Sequence, residues 1–74
     1  MTPEQCRMAR AGLGISVREL AERAQVSTNT VSRLEAGDEL KPRTVEAIQH
    51  ALEVAGVEFI AENGGGAGVR LIKK

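Results

Sequence analysis

The stretch that decides the fold is SVRELAERAQVSTNTVSRLEAG, residues 16–37. It opens with Ser16 and Glu19, a capping-box pattern in which a hydroxyl and a carboxylate satisfy backbone N–H groups at the start of a helix. Ser27 is placed to cap a second helix in the same way. The predicted helices cover residues 17–24 and 28–36. A turn of only three residues separates them.

Helical periodicity gives each of these two helices an inner and an outer face. The inner positions are apolar and comprise Val17, Leu20, Ala21, Ala24, Val31 and Leu34. The outer positions of the second helix are Thr28, Asn29, Ser32 and Arg33. Because a short turn makes consecutive helices cross steeply, we expect the second helix to be exposed along its outer side.

A further helix is predicted before this stretch. Thr2, Pro3 and Gln5 form a capping box with proline at the first helical position. Gly12 and Gly14 are predicted to end that helix, since glycine adopts the left-handed C-cap conformation without steric cost.

Another helix and a hairpin follow the stretch. Thr44 is predicted to cap a helix over residues 45–55. The β-prone runs 57–60 and 69–72 flank a glycine-rich segment, residues 62–68, and predict a β-hairpin. The predicted fold is therefore mainly α, with four helices followed by a short C-terminal β-hairpin.

Composition narrows the function classes. The chain has 74 residues, enough for one small domain, and its ten basic and ten acidic residues give a net charge of zero. One cysteine, Cys6, cannot form an internal disulfide, and no apolar run reaches the roughly 18 residues of a membrane span. We therefore expect a cytoplasmic protein without membrane contact. Phe59 is the single aromatic residue, which argues against a stacking platform for single-stranded nucleic acid.

Residues 16–37, together with Ala9-Arg10, resemble the helix-turn-helix domains of the Cro/phage-repressor class, the XRE family. The resemblance covers about residues 2–56. Gln25 departs from the glycine usual at the tight turn, and left-handed geometry there costs on the order of 1 kcal/mol. Val17 replaces a glutamine that often contacts phosphate in that family. The resemblance implies a helix-turn-helix DNA-binding domain over residues 1–56, with residues 57–74 as a separate hairpin.

The resemblance also implies which residues contact double-stranded DNA. The second helix of the stretch would enter the major groove, where arginine recognises guanine and asparagine recognises adenine. We expect base contacts from Thr28, Asn29, Ser32 and Arg33. We expect DNA-backbone contacts, with phosphate or in the minor groove, from Ser16, Arg18, Ser27, Thr30, Lys41 and Arg43, the last two in the loop after the recognition helix.

Other residues are expected to be structural. The resemblance pairs Arg10 with Glu35 in an ion pair between the first and third helices. Cys6 is expected to be a packed thiol, and His50 a surface residue. The sequence offers no nucleophile–base pair and no metal-ligand cluster, so we predict no enzyme activity, metal, cofactor or small-molecule ligand.

The predicted function is a sequence-specific transcriptional regulator, a dimeric repressor or autoregulator that reads a pseudo-palindromic operator and is associated with the nucleoid when bound. The hairpin is the candidate dimerisation element, through Val57, Phe59, Ile60, Val69, Leu71 and Ile72. The alternative for the hairpin is that it only covers the monomer's core, with helix 4 and the Gly56 corner as another dimer contact. The alternative function is a protein-interaction module, antitoxin-like or an anti-activator subunit, that keeps the fold without reading DNA; the zero net charge favours it.

Overall fold

A computed structural model describes residues 1–72, and its element order confirms the prediction of four helices and a C-terminal hairpin. The helices are α1 (Pro3–Leu13), α2 (Val17–Ala24), α3 (Thr28–Glu35) and α4 (Pro42–Val54). The antiparallel strands are β1 (Val57–Ile60) and β2 (Gly68–Leu71). Lys73 and Lys74, the end of the predicted C-terminal segment, lie outside the described residues. No helix within residues 1–72 is long and apolar enough to cross a bilayer.

Local capping explains where α1 and α2 begin. The Thr2 hydroxyl accepts a hydrogen bond from the Gln5 backbone N–H at 3.0 Å, and the Gln5 side chain accepts one from the Thr2 N–H at 2.8 Å, which completes the predicted box. Ser16 accepts from the Glu19 N–H at 3.0 Å. The Glu19 carboxylate, however, pairs with Arg23 at 3.3 Å, so only half of the second box forms.

The predicted start of α4 is wrong. Helix α4 begins at Pro42, with Lys41 as its N-cap and no side-chain cap bond, so Thr44 lies inside the first turn. Proline fixes the helical φ and needs no N–H partner at that position, and it keeps the preceding residue extended. As a consequence Arg43, predicted in the loop, belongs to α4. The end of α1 agrees with the prediction at Gly14, which is the left-handed C-cap, whereas Gly12 lies inside the helix.

One hydrophobic core holds the helices and the hairpin together. Its largest fully buried side chains are Leu20, Ile48, Leu52, Val31, Val57 and Cys6. They come from all four helices and from β1, while Phe59 and Val69 pack against the same core. Burial of this apolar surface fixes α3 from beneath and leaves its opposite face available.

The hairpin turns one face to the helices. Val57 pairs with Leu71 and Phe59 with Val69, so these four side chains share a face. A methyl group added at Gly12 would approach a Leu71 side-chain carbon to 3.3 Å, which shows how closely β2 packs on α1.

Gln5 joins α1 to the loop end of the hairpin, a contact that the sequence analysis missed. Its side-chain amide donates to the carbonyl groups of Ile60 at 3.0 Å and Gly68 at 2.9 Å. The residue is only 4% exposed. Gln5 precedes Cys6 and lies close to the inner face of α1, which indicates burial. Its role in the capping box gave a sufficient reason for a glutamine at this position, so a second contact was not predicted.

Candidate nucleic-acid interface

The turn between α2 and α3 sets the orientation of the candidate recognition helix. Gln25 is left-handed, with φ 59° and ψ 43°, as the prediction for this tight turn requires. The Val26 N–H donates to the Ala21 carbonyl at 3.0 Å and closes the end of α2. The strain of a non-glycine residue in this conformation is on the order of 1 kcal/mol. It is offset by the packing of half-buried Val26 on the core.

Helix α3 separates its apolar and polar positions as predicted. Val31 and Leu34 are buried, whereas Thr28, Asn29 and Ser32 are exposed. Arg33 is exposed as well. The outer face of α3 therefore presents short polar groups in its first turn and a guanidinium in its last turn.

The N-terminus of α3 is closed by its own hydroxyl groups. Ser27 accepts a hydrogen bond from the Thr30 backbone N–H at 3.1 Å, and the two side-chain hydroxyls lie 2.8 Å apart. A hydroxyl has one donor and two acceptor sites, so each cap can still bind a further group. Ser16 at the start of α2 is in the same situation.

A groove runs between α3 and the segment that leads into α4. It is lined by Val26, Ser27, Thr30, Arg33, Glu39, Leu40, Lys41 and Thr44. The structure thus brings four of the predicted DNA-contacting residues together: Ser27, Thr30, Arg33 and Lys41. The other predicted contacts lie outside this groove on exposed surface; they are Ser16, Arg18, Thr28, Asn29, Ser32 and Arg43.

Arg33 has a partner that the sequence analysis missed. Its Nε lies 3.2 Å from Oδ2 of Asp38, and both side chains are about half exposed, at 51% and 54%. The sequence contained a signal for this pair in Gly37. A glycine that ends a helix places the residue after it, here Asp38, beside the last helical turn, which contains Arg33.

Ion pairing divides the cations of the chain into two groups. Five arginines pair with carboxylates; they are Arg7, Arg10, Arg23, Arg33 and Arg70. Within residues 1–72, three other side-chain cations form no ion pair: Arg18, Lys41 and Arg43. These are the three cations, apart from Arg33, that the resemblance assigns to DNA contact. A net charge of zero therefore coexists with unneutralised cations at the predicted interface.

The same three cations lie where a helix disfavours positive charge. Arg18 is the second residue of α2, Lys41 is the N-cap of α4, and Arg43 is the second residue of α4. A helix N-terminus carries partial positive charge, so a cation there costs roughly 0.3–1 kcal/mol. The first turn of α4 also has no acidic residue to offset this cost. A bound anion such as a phosphate would relieve it.

A buried ion pair holds α3 against α1. Glu35 accepts two hydrogen bonds from the Arg10 guanidinium, each 2.9 Å long. Arg7 donates to the Glu35 backbone carbonyl, and the Cys6 thiol donates to the Glu35 carboxylate at 3.4 Å. Because Glu35 ends α3, this cluster fixes the position of the helix.

The pKa shifts in the cluster of Cys6, Arg10 and Glu35 are consistent with a structural role. Burial, reinforced by the neighbouring Glu35 charge, raises the pKa of the Cys6 thiol to about 12, so the thiol is a poor nucleophile at neutral pH. Burial alone would raise the pKa of Glu35, but the hydrogen bonds from Arg10 and Cys6 outweigh it and hold that pKa below its ordinary value. The carboxylate is thus charged and satisfied at neutral pH.

The predicted dimer residues differ in accessibility. Val57 is only 2% exposed and belongs to the core. Leu71 and Ile72 are 47% and 52% exposed. The remaining three, Phe59, Ile60 and Val69, are half-buried. His50 lies on the surface of α4, as expected.

Comparison with known protein families agrees with this geometry. A family model described as helix-turn-helix matches residues 7–59, well over half of the chain, and covers α2, α3 and α4. The matched family consists of DNA-binding helix-turn-helix domains and is not a family of enzymes. The chain belongs to the Cro/C1-type helix-turn-helix family, the XRE family, and is a DNA-binding regulator of that type. No curated protein matches the chain.

Proposed function

We propose that this protein reads a specific pseudo-palindromic operator as a homodimer and acts as a repressor or autoregulator. Helix α3 enters the major groove of each half-site. The base-reading residues are Thr28, Asn29, Ser32 and Arg33. The residues that contact the DNA backbone are Ser16, Arg18, Ser27, Thr30, Lys41 and Arg43.

The observation that carries this proposal is the placement of the unpaired cations. Arg18, Lys41 and Arg43 lack carboxylate partners within the described chain, although ten acidic residues are present. Each also stands at a helix N-terminus, where it costs stability. Such a local conflict is typical of functional sites, and a DNA phosphate would resolve it.

The outer face of α3 has the chemistry for base recognition. The Asn29 amide can donate to and accept from the major-groove edge of adenine, and the Arg33 guanidinium can donate to O6 and N7 of guanine. Thr28 and Ser32 are short enough to bond a base edge or contact a thymine methyl group. The exposed pair between Arg33 and Asp38 contributes at most about 1 kcal/mol, so it does not prevent Arg33 from reaching a base.

One recognition helix is insufficient for strong specific binding. Each good bidentate contact gives about 1–3 kcal/mol of discrimination, and a single α3 contacts only a few base pairs. A dimer places two copies of α3 one DNA turn apart and gains affinity by binding both half-sites together. A protein bound in this way blocks its operator to other proteins, which is the basis for proposing a repressor.

Two exposed apolar positions distinguish the alternatives for the dimer contact. Ile72 follows β2 and is 52% exposed, while Val54 ends α4 and is 62% exposed. Ile72 marks the hairpin and Val54 marks the corner between α4 and β1. We favour the hairpin because two large apolar side chains near its end, Leu71 and Ile72, are about half exposed, whereas Val54 is the single one at the end of α4.

Selection of bound duplexes from a random pool tests DNA reading and half-site spacing together. We expect a motif with two-fold symmetry and half-sites about one helical turn apart. Affinity for the selected operator should fall steeply with added salt, because phosphate contacts release counterions. A pool without enrichment, or binding independent of salt, would contradict the proposal.

Sedimentation of two charge-introducing variants tests the dimer contact. Ile72→Glu should dissociate the dimer and weaken operator binding, whereas Val54→Glu, its matched control on α4, should leave both unchanged. The opposite result would assign the contact to α4. If both variants sediment as the parent does, with a circular dichroism spectrum that shows intact helices, neither surface forms the dimer.

A second candidate function is a protein-interaction module. Two acidic residues favour it, because Asp38 neutralises Arg33 and Glu39 lines the groove beside Lys41. Such a module would bind a partner protein without enriching any duplex from the random pool. The selection experiment therefore separates the two functions.

A further inference from the structure

We infer that Asp38 is a specificity-determining residue: it positions Arg33 for a base contact and weakens the attraction of Arg33 for phosphates. This inference rests on the proposed function, in which α3 reads bases. Asp38 itself need not touch DNA.

The position of Asp38 is fixed by the way α3 ends. Gly37 is left-handed, with φ 94°, and its N–H donates to the Leu34 carbonyl at 3.1 Å. The Asp38 N–H donates to the Arg33 carbonyl at 3.0 Å. These two bonds form a Schellman motif, which places the second residue after the C-cap beside the third residue from the helix end. The backbone therefore holds Asp38 next to Arg33.

The contact uses only one edge of the guanidinium. Oδ2 of Asp38 lies 3.2 Å from Nε of Arg33. Arginine carries five N–H donors, so the four on its two terminal nitrogens remain available. Two of these are sufficient for a bidentate contact with O6 and N7 of guanine. Asp38 thus reduces the freedom of a long side chain without occupying the donors that read the base, and less entropy is lost on binding.

The charge of Asp38 acts in the opposite direction on phosphates. Attraction between Arg33 and any DNA phosphate depends on net charge, which the adjacent carboxylate largely cancels. A bidentate bond to a guanine edge depends on geometry as well as charge, so it is weakened less. Asp38 should consequently lower non-specific affinity more than operator affinity.

Glu39 provides a matched control. It is exposed, lines the same groove as Arg33 and Lys41, and carries the same charge as Asp38. Within residues 1–72 it forms no ion pair with Arg33. Removal of Glu39 changes the local charge equally but leaves the orientation of Arg33 intact.

The test compares Asp38→Ala with Glu39→Ala by fluorescence anisotropy. Three duplexes are used: the selected operator, the operator changed at the base pair where Arg33→Ala loses preference, and a random sequence. Both variants should bind random DNA more tightly than the parent. Asp38→Ala alone should lower the preference for the correct base pair, about three- to tenfold. Asp38→Asn, which keeps an acceptor but no charge, should restore part of that preference.

A double variant shows whether the effect passes through Arg33. In an Arg33→Ala background, Asp38→Ala should affect the three duplexes as Glu39→Ala does. Equal preference in the two single variants, or the same loss of preference without Arg33, would overturn the inference. A parent protein that binds none of the duplexes would instead overturn the proposed function.

Discussion

Two arginine–carboxylate pairs of the same chemistry have opposite surroundings in this protein. Arg10 and Glu35 are joined by two hydrogen bonds of 2.9 Å, and their side chains are 24% and 9% exposed. Arg33 and Asp38 are joined by one bond of 3.2 Å, and both are about half exposed. One pair lies between α1 and α3, and the other lies on the predicted DNA surface.

The comparison shows how one helix can combine a charged side chain that is fully bonded within the protein with one whose hydrogen-bond donors remain largely available. Glu35 follows Arg33 by two residues, which is about 200° around a helix, so the two side chains point to nearly opposite sides. Glu35 is held on the inner side by hydrogen bonds from Arg10 and Cys6. Its removal would leave the Arg10 charge without a partner. Arg33 on the outer side is solvated and bonded to Asp38 through Nε alone, so its terminal nitrogens can contact a base while Asp38 stays in place.

The largest expected effect is the loss of the inner pair. Glu35→Gln should lower the free energy of unfolding by about 2–3 kcal/mol, since Arg10 is left partly buried without a counter-charge. Urea denaturation followed by circular dichroism measures this change. Asp38→Asn is the matched variant of the outer pair and should cost less than about 1 kcal/mol. Similar losses in both variants would show that solvent exposure does not distinguish the pairs.

The inner pair also predicts an acid dependence of stability. The pKa of Glu35 is lower in the folded protein than its ordinary value of 4.5, so folding favours the charged form. This contribution is present above pH 4.5 and is lost as the pH falls through the lowered pKa. Urea midpoints measured between neutral and acidic pH should therefore decline less in Glu35→Gln than in the parent. Parallel declines would place the acid-sensitive group elsewhere.

The next effect concerns the outer pair and DNA. Arg33→Ala should weaken operator binding by about 1–3 kcal/mol and remove the preference at one base pair in each half-site. Its free energy of unfolding should change by less than about 0.5 kcal/mol, because an exposed pair contributes little. Anisotropy titrations against single-base operator variants measure the first quantity and urea denaturation the second. Unchanged affinity and selectivity would exclude base reading by Arg33.

The smallest effect is expected at a cation that belongs to neither pair. Arg43→Gln should weaken binding to all duplexes alike and reduce the salt slope by about one unit per half-site. It should also stabilise the folded protein by roughly 0.3–1 kcal/mol, because Arg43 opposes the helix dipole. Arg23→Gln is the control, with the same charge change at an arginine already paired with Glu19. A loss confined to one operator base would contradict a phosphate contact.

Much of the site follows from local sequence signals. Ser16, Ser27 and Gly14 act within a few residues of themselves, so their hydrogen bonds and dihedral angles could be predicted without tertiary contacts. The outer face of α3 follows from helical periodicity in the same way. Thr44 shows the limit of such signals. The sequence offered two helix starts, at Pro42 and after Thr44, and α4 begins at Pro42.

Contacts between distant segments needed the tertiary structure. The sequence identifies Gln5 as a capping residue. Its hydrogen bonds to Ile60 and Gly68 form only in the folded chain, because these residues lie more than fifty positions away in the sequence. The split of the hairpin into buried Val57 and exposed Ile72 also depends on packing against the helices. Alternation of side chains defines two faces but does not say which one is covered.

The sequence by itself therefore determined the helix-turn-helix, its outer face and the unusual left-handed Gln25, because caps, turns and periodicity are properties of neighbouring residues. Only the tertiary structure decided the geometry of the ion pairs that join distant segments, Arg10 with Glu35 and Arg70 with Glu58. Partners such as Glu35 for Arg10 come from a different helix, and their distance and burial depend on how the core packs. The ion pairing of the chain leaves Arg18, Lys41 and Arg43 unpaired within residues 1–72, and it gives a chain of zero net charge a surface suited to DNA.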